Sequence, residues 1–159
     1  MPGQARTIEA RLRELGLELP AAVAPIANYV PFVRTGSLLI ISGQLPLDNG
    51  KLADTFKGKL GRDVFNEAGQ QAARLAAINV LAQAQVALGD LERVRRVVRL
   101  GGFINATPGF TGLAAVMNGA SDLMVQVFGD RGRHARTTVG VAELPLDAAV
   151  EIEAMLEFE

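Results

Sequence analysis

Between Val150 and Phe158 apolar and charged positions alternate. Val150, Ile152, Ala154, Leu156 and Phe158 form one set, and Glu151, Glu153, Met155 and Glu157 the other. A period of two puts one set on a buried face and the other on an open one, so the segment predicts a strand. Elsewhere the period lengthens. Leu113, Val116, Met117, Ala120, Leu123, Met124 and Val127 recur at three and four residues, which predicts a helix ending at Gly129. No proline lies between Asp63 and Gly89, and Ala68, Ala72, Leu75, Ala82 and Val86 share a helical face. A long helix is expected there, with Asp63 as N-cap and Gly89 as its stop. Thr7 heads a short amphipathic helix carrying Ile8, Leu12 and Leu15, and Gly16 ends it.

The remaining segments read as strands and turns. Tyr29 to Arg34 and Ser37 to Ser42 form a hairpin about Thr35-Gly36, with the next turn at Asp48-Asn49-Gly50. Lys51 to Arg62 has little periodicity and reads as a loop or irregular strand. Leu91 to Ile104 is Val-rich and predicts a strand, broken off by Pro108-Gly109. Arg131 to Arg133 is a basic turn, Thr137 to Ala142 a short strand, and Leu144 to Asp147 a turn before the last strand. This order gives one α+β domain over residues 20–159, a mixed sheet with two main helices on one face, preceded by an N-terminal helical extension over 1–19. Two helices cover only one side of such a sheet. The other side is expected to be buried by neighbouring subunits.

Composition narrows the function classes. The 159 residues suit a single domain, and 49% hydrophobic residues with 17 Gly exclude a disordered chain. A net charge of −1 supplies no general drive toward nucleic acid or anionic membrane. Without Cys there is no disulfide, thiol nucleophile or zinc-thiolate site. The segment from Met1 to Pro20 is charged where a signal peptide is apolar, and no apolar run approaches the ~18 residues of a membrane span. A cytoplasmic protein is expected.

Several chemistries fall away on residue type. His134 is the single histidine, so no transition-metal site is expected. Gly102 to Gly109 lacks the Lys-Ser/Thr of a phosphate loop, and Ser42 lacks the Gly-x-Ser-x-Gly elbow of a serine hydrolase. Arg93, Arg95, Arg96 and Arg99 read as a solvated strand edge or as subunit salt bridges, since Asp90 and Glu92 offset them and only Phe103 lies near.

One constellation stands apart: Ser42-Gly43-Gln44-Leu45-Pro46, then His134-Ala135-Arg136-Thr137-Thr138-Val139, then Glu143-Leu144-Pro145 and Glu151-Ile152-Glu153-Ala154. Together these resemble the Rid/YjgF family of imine and enamine deaminases, whose motifs read Ser-Gly-Gln-Ile/Leu-Pro, Pro-Ala-Arg-x-x-Val, and Leu-Pro followed by Glu-Ile-Glu-Ala. The resemblance runs from about Pro20 to the C-terminus. It implies a homotrimer of chorismate-mutase-like two-layer subunits, with active sites in the clefts between them and no cofactor. By motif, Arg136 falls on the family's substrate-binding arginine and Glu151 on the glutamate that holds the attacking water. Tyr29 and Asn118 fall on its cleft tyrosine and asparagine, and Gly43 and Thr138 offer backbone groups.

The residue types suit that chemistry. A guanidinium grips a carboxylate through two parallel hydrogen bonds, and a carboxylate can take a proton from water and return it to departing ammonia. The substrate implied is a small carboxylate-bearing imine or enamine of the 2-aminoacrylate type, hydrolysed to a 2-oxo acid. Two other readings stand beside it: a trimeric carboxylate-binding protein without turnover, and an endoribonuclease or translation inhibitor, as some family members are described. Balanced charge and few aromatics speak against the last. The chain also departs from the family. His134 replaces the usual Pro, Thr138 a frequent Cys, and Gly119-Ala120-Ser121 follow Asn118 where aromatic residues are common. Gly50 to Asp63 is longer than the compact family core.

Overall fold

The computed structural model describes residues 6–25 and 27–159; residues 1–5 of the expected extension lie outside these. Helix α1 (Ile8–Glu14) starts at Thr7, whose hydroxyl accepts the Ala10 N–H at 3.1 Å. Strands β1 (Phe32–Thr35) and β2 (Leu38–Gln44) pair antiparallel about Gly36, which has φ 57°. The hairpin thus turns one residue later than the sequence pattern places it, because the left-handed turn position falls to Gly36 and Thr35 still pairs with Leu38. The unpatterned stretch that follows holds a two-stranded ribbon, β3 (Leu47–Asp48) and β4 (Lys51–Leu52), and a 3₁₀ turn at Asp54–Phe56.

Helix α2 (Asn66–Leu88) ends on Gly89 at φ 78°. Its start corrects the expected cap. The Asp63 carboxylate is engaged within the preceding turn, accepting the Lys59 N–H at 3.0 Å and pairing with Arg62, so Phe65 takes the N-cap position. The following strand also starts late. Leu91–Arg93 form a 3₁₀ turn capped by the Asp90 side chain, and β5 (Val94–Asn105) begins after it. Helix α3 (Leu113–Phe128), β6 (Ala135–Val141) and β7 (Val150–Phe158) complete the chain.

The main sheet has the order β1-β2-β7-β5-β6, antiparallel except for the parallel β5–β6 pair. Helices α2 and α3 pack side by side on one face, and α1 packs on α3. The alternation in β7 is realised in full. Val150, Ile152, Ala154, Leu156 and Phe158 are buried beneath the helices, and the intervening residues occupy the other face. Small residues bring the layers close. Gly119 meets the Gln70 backbone, Gly102 admits Met117, and Ala72, Ala73, Ala76 and Ala77 are fully buried. On the open face, Val33, Ile40 and Val139 remain exposed. None of the described helices is long and apolar enough to cross a membrane.

Candidate functional site

Strand register assigns each candidate residue to a face. Arg136 pairs with Leu100, which is buried under the helices, so the guanidinium points toward the helical layer. There Nη1 donates to Asn118 Oδ1 at 2.8 Å and to Ser121 Oγ at 3.1 Å, and Nη2 donates to the Ala114 carbonyl at 3.4 Å. Three consecutive turns of α3 therefore hold one side chain. Thr138, two residues along β6, lies on the same face, and its hydroxyl is buried without a hydrogen-bond partner among the described residues.

Glu151 pairs with Phe103 and projects from the opposite face. Its carboxylate lies against Gly43, where a β-carbon would stand 2.9 Å from Cδ and 3.1 Å from Cγ, and nearer still to Oε1. An irregularity in the β2–β7 register between Ile41 and Gln44 brings the strands into this close approach. Glu151 is half-buried, and burial first, then the neighbouring Glu153 carboxylate, raises its pKa above the ordinary glutamate value.

Tyr29, Gly43 and Glu151 line one cleft of about 280 Å³, with apolar walls from Val23, Leu45, Leu47 and Leu146. Two buried side chains of α2 secure those walls. Asn79 donates to the carbonyls of Leu45 and Leu47, both at 2.9 Å, and Gln83 donates to that of Val23 at 2.8 Å. Ser42 does not act as a free hydroxyl; it donates to the Val30 carbonyl at 2.8 Å, beside Tyr29. Leu146 and Asp147 both hold positive φ, near 60°, and Asp147 is fixed there by Asn105 at 3.1 Å.

The sequence-predicted residues thus fall into two groups: Arg136, Asn118 and Thr138 on the helical side of the edge strand, and Tyr29, Gly43 and Glu151 in the cleft on the other face. One subunit does not bring them together. Among the described residues neither Arg136 nor Glu151 has an ion-pair partner, and no group of three His, Asp or Glu side chains could hold a metal ion. Asn79, Gln83, Ser121 and Leu146 were not legible as site residues. Only Ser121 carried a signal, its spacing of three from Asn118 on one helix.

A family model described as "YjgF/chorismate_mutase-like, putative endoribonuclease" matches residues 9–157. The chain belongs to this family. Protein TCP17 of Trypanosoma cruzi is 50% identical to this YjgF-like chain over 151 residues, covering 94% of this chain and 93% of its own length. A 2-iminobutanoate/2-iminopropanoate deaminase of Dermatophagoides farinae is 31% identical over 143 residues, covering 90% and 95%. The crystal structure of Atu1372, a protein of unknown function from Agrobacterium tumefaciens, matches with a TM-score of 0.89 and 51% identity, covering 96% of this chain and 92% of that one. The two-layer fold is thus that of other YjgF-like proteins.

Proposed function

We propose that this YjgF-like protein hydrolyses small 2-imino acids and their enamine tautomers to 2-oxo acids and ammonia, in a site shared between subunits of a homotrimer. The observation that carries the reading is an uncommitted pair of opposite charges. In an ordinary strand surface an arginine near several glutamates is drawn into ion pairs. Here the fold keeps Arg136 and Glu151 on opposite faces of the sheet, each without an ion-pair partner among the described residues.

Arg136 binds the substrate carboxylate and fixes the imine carbon, and Glu151 orients a water toward it. As the water oxygen bonds to carbon, the C=N electron pair moves to nitrogen and Glu151 takes the water's proton. Glu151 returns that proton to nitrogen, giving the carbinolamine; it then takes the hydroxyl proton and passes it to the amino nitrogen, and as the C–O bond becomes a carbonyl the C–N bond breaks and ammonia leaves. A carboxylate with a raised pKa suits both halves of this proton transfer. The carboxylate of Glu151 cannot reach the ligand of Arg136 on its own chain, so the reading requires a second subunit to present its open face. The apolar residues Val33, Ile40 and Val139 on that face support such an association.

Ammonia release from freshly generated 2-iminobutanoate tests the reading. Arg136→Ala and Glu151→Gln each abolish release, and a co-refolded mixture of the two regains part of it through sites that combine one intact residue from each chain. Equal rates for Arg136→Ala and the unaltered protein overturn it. Binding of 2-oxo acids without consumption of imine would identify a carboxylate-binding protein instead.

A further inference from the structure

Ser121 lies one turn beyond Asn118 on α3, and His134 immediately precedes β6. His134 Nδ1 is 2.6 Å from the Gly132 carbonyl oxygen. A carbonyl only accepts, so Nδ1 carries a proton, and in the tautomer with that single ring proton the Nε2 lone pair faces Ser121. Ser121 Oγ, 2.9 Å from Nε2, donates to it. Its own lone pairs then face the Arg136 Nη1–H at 3.1 Å. The hydrogen bonds run in one sense, from guanidinium to hydroxyl to imidazole, with the ring anchored on the backbone.

We propose that Ser121 and His134 are positioning residues that hold the free edge of Arg136 toward its ligand. Both Nη1 protons are committed, one to Asn118 and one to Ser121, and one Nη2 proton points to the Ala114 carbonyl. The Nε–H and the other Nη2–H have no partner among the described residues. The acceptors follow the order Ala114, Asn118, Ser121 along α3, so the Nη2 proton turned to Ala114 is the one on the Asn118 side; the remaining Nη2–H stands beside Nε–H, the arrangement that takes both oxygens of a carboxylate. Without Ser121 the guanidinium keeps only Asn118 and Ala114 and can turn against α3, so its free edge no longer faces one direction.

The inference rests on the reading of Arg136 as carboxylate anchor, and the experiment separates the two. Steady-state ammonia release from 2-iminobutanoate is compared for the unaltered protein, Ser121→Ala, Ser121→Thr, His134→Leu, His134→Gln and the Ser121→Ala/His134→Leu double variant. Loss of the hydroxyl or of the ring acceptor is expected to lower kcat/KM about tenfold, mainly through KM, as for a lost hydrogen bond to a charged group. Thr and Gln, which keep a hydroxyl and an acceptor, restore it. The double variant is no worse than either single one, because both break the same relay. Release from a neutral imine without a carboxylate is unchanged. Unchanged kcat/KM in Ser121→Ala, with Arg136→Ala inactive, overturns the relay and leaves the deaminase reading intact; an equal loss on the neutral imine also overturns it. If the unaltered protein consumes no imine, titration with 2-oxobutanoate decides: about tenfold weaker binding by Ser121→Ala supports the relay. Equal binding, or none by the unaltered protein, overturns it.

Discussion

Replacing Gly43 by Ala should separate catalysis from stability. The residue has no positive φ, so alanine fits the backbone. The new methyl would instead meet the Glu151 side chain, within 2.9 Å of Cδ and 3.1 Å of Cγ and closer to Oε1. Ordinary van der Waals contact begins near 3.4 Å, so the carboxylate end must retreat by about 1 Å. Because that end is flexible and opens onto the cleft, the retreat costs little: about 1 kcal/mol or less of folding free energy, at the low end of overpacking penalties. The reacting water is aimed by the same carboxylate, and a misplacement of about 1 Å can cost ~10²-fold in rate. Gly43→Ala is therefore expected to keep a near-native thermal midpoint while ammonia release from 2-iminobutanoate falls about a hundredfold. Full activity would show that Glu151 does not orient the water from its place against Gly43. A large loss of stability would show that the strand approach itself, not the side chain, fills the space.

Two further outcomes follow from named contacts. Burial raises the Glu151 pKa, so the folded protein holds this proton more tightly than the unfolded chain; its stabilising contribution is complete below the ordinary glutamate range, about 4.3, and is lost as pH rises through the raised value. Glu151→Gln should accordingly melt above the unaltered protein at neutral pH, with the difference vanishing near pH 4; identical melting curves at both pH values would contradict the burial argument. Gly119→Ala places a methyl against the Gln70 carbonyl carbon at 2.8 Å, a backbone contact that cannot swing away. The two helices must part, at a cost of about 2–3 kcal/mol in chemical denaturation, and an unchanged midpoint would show that the α2–α3 spacing is slack.

How far the sequence leads depends on whether a signal is local. The alternation over β7 and the three-four period of α3 survive in the structure because each reports directly which residues face the core. The start of α2 does not, because Asp63 has a competing partner in the Lys59 N–H, and a residue type that can cap can equally close a turn. The ribbon of β3 and β4 escapes notice because each strand has only two residues, too few for a period. Motif spacing singles out Arg136 and Glu151 as candidates, and it gives a reason to look at Gly43, but it does not reveal that this glycine makes room for Glu151. Asn79 and Gln83 are invisible in the same way: a buried amide on a helix is recognised only through the carbonyl it meets, and those of Leu45, Leu47 and Val23 come from distant segments.

The face each residue occupies is the one property that parity along a strand does supply, and it bears directly on the chemistry. Glu151 belongs to the odd set of β7, so the alternation alone puts it away from the helices. Arg136 has no such pattern in the sequence, since polar and apolar residues do not alternate along β6; its face follows only from pairing with Leu100 and from the grip of α3. An arginine and a glutamate on one face of neighbouring strands would neutralise each other. Placed on opposite faces of a sheet too thick for a small ligand to bridge, both keep their charge for use, and the proposed reaction becomes a property of two chains meeting. Substitutions that weaken contact between open faces would then reduce turnover without touching either residue.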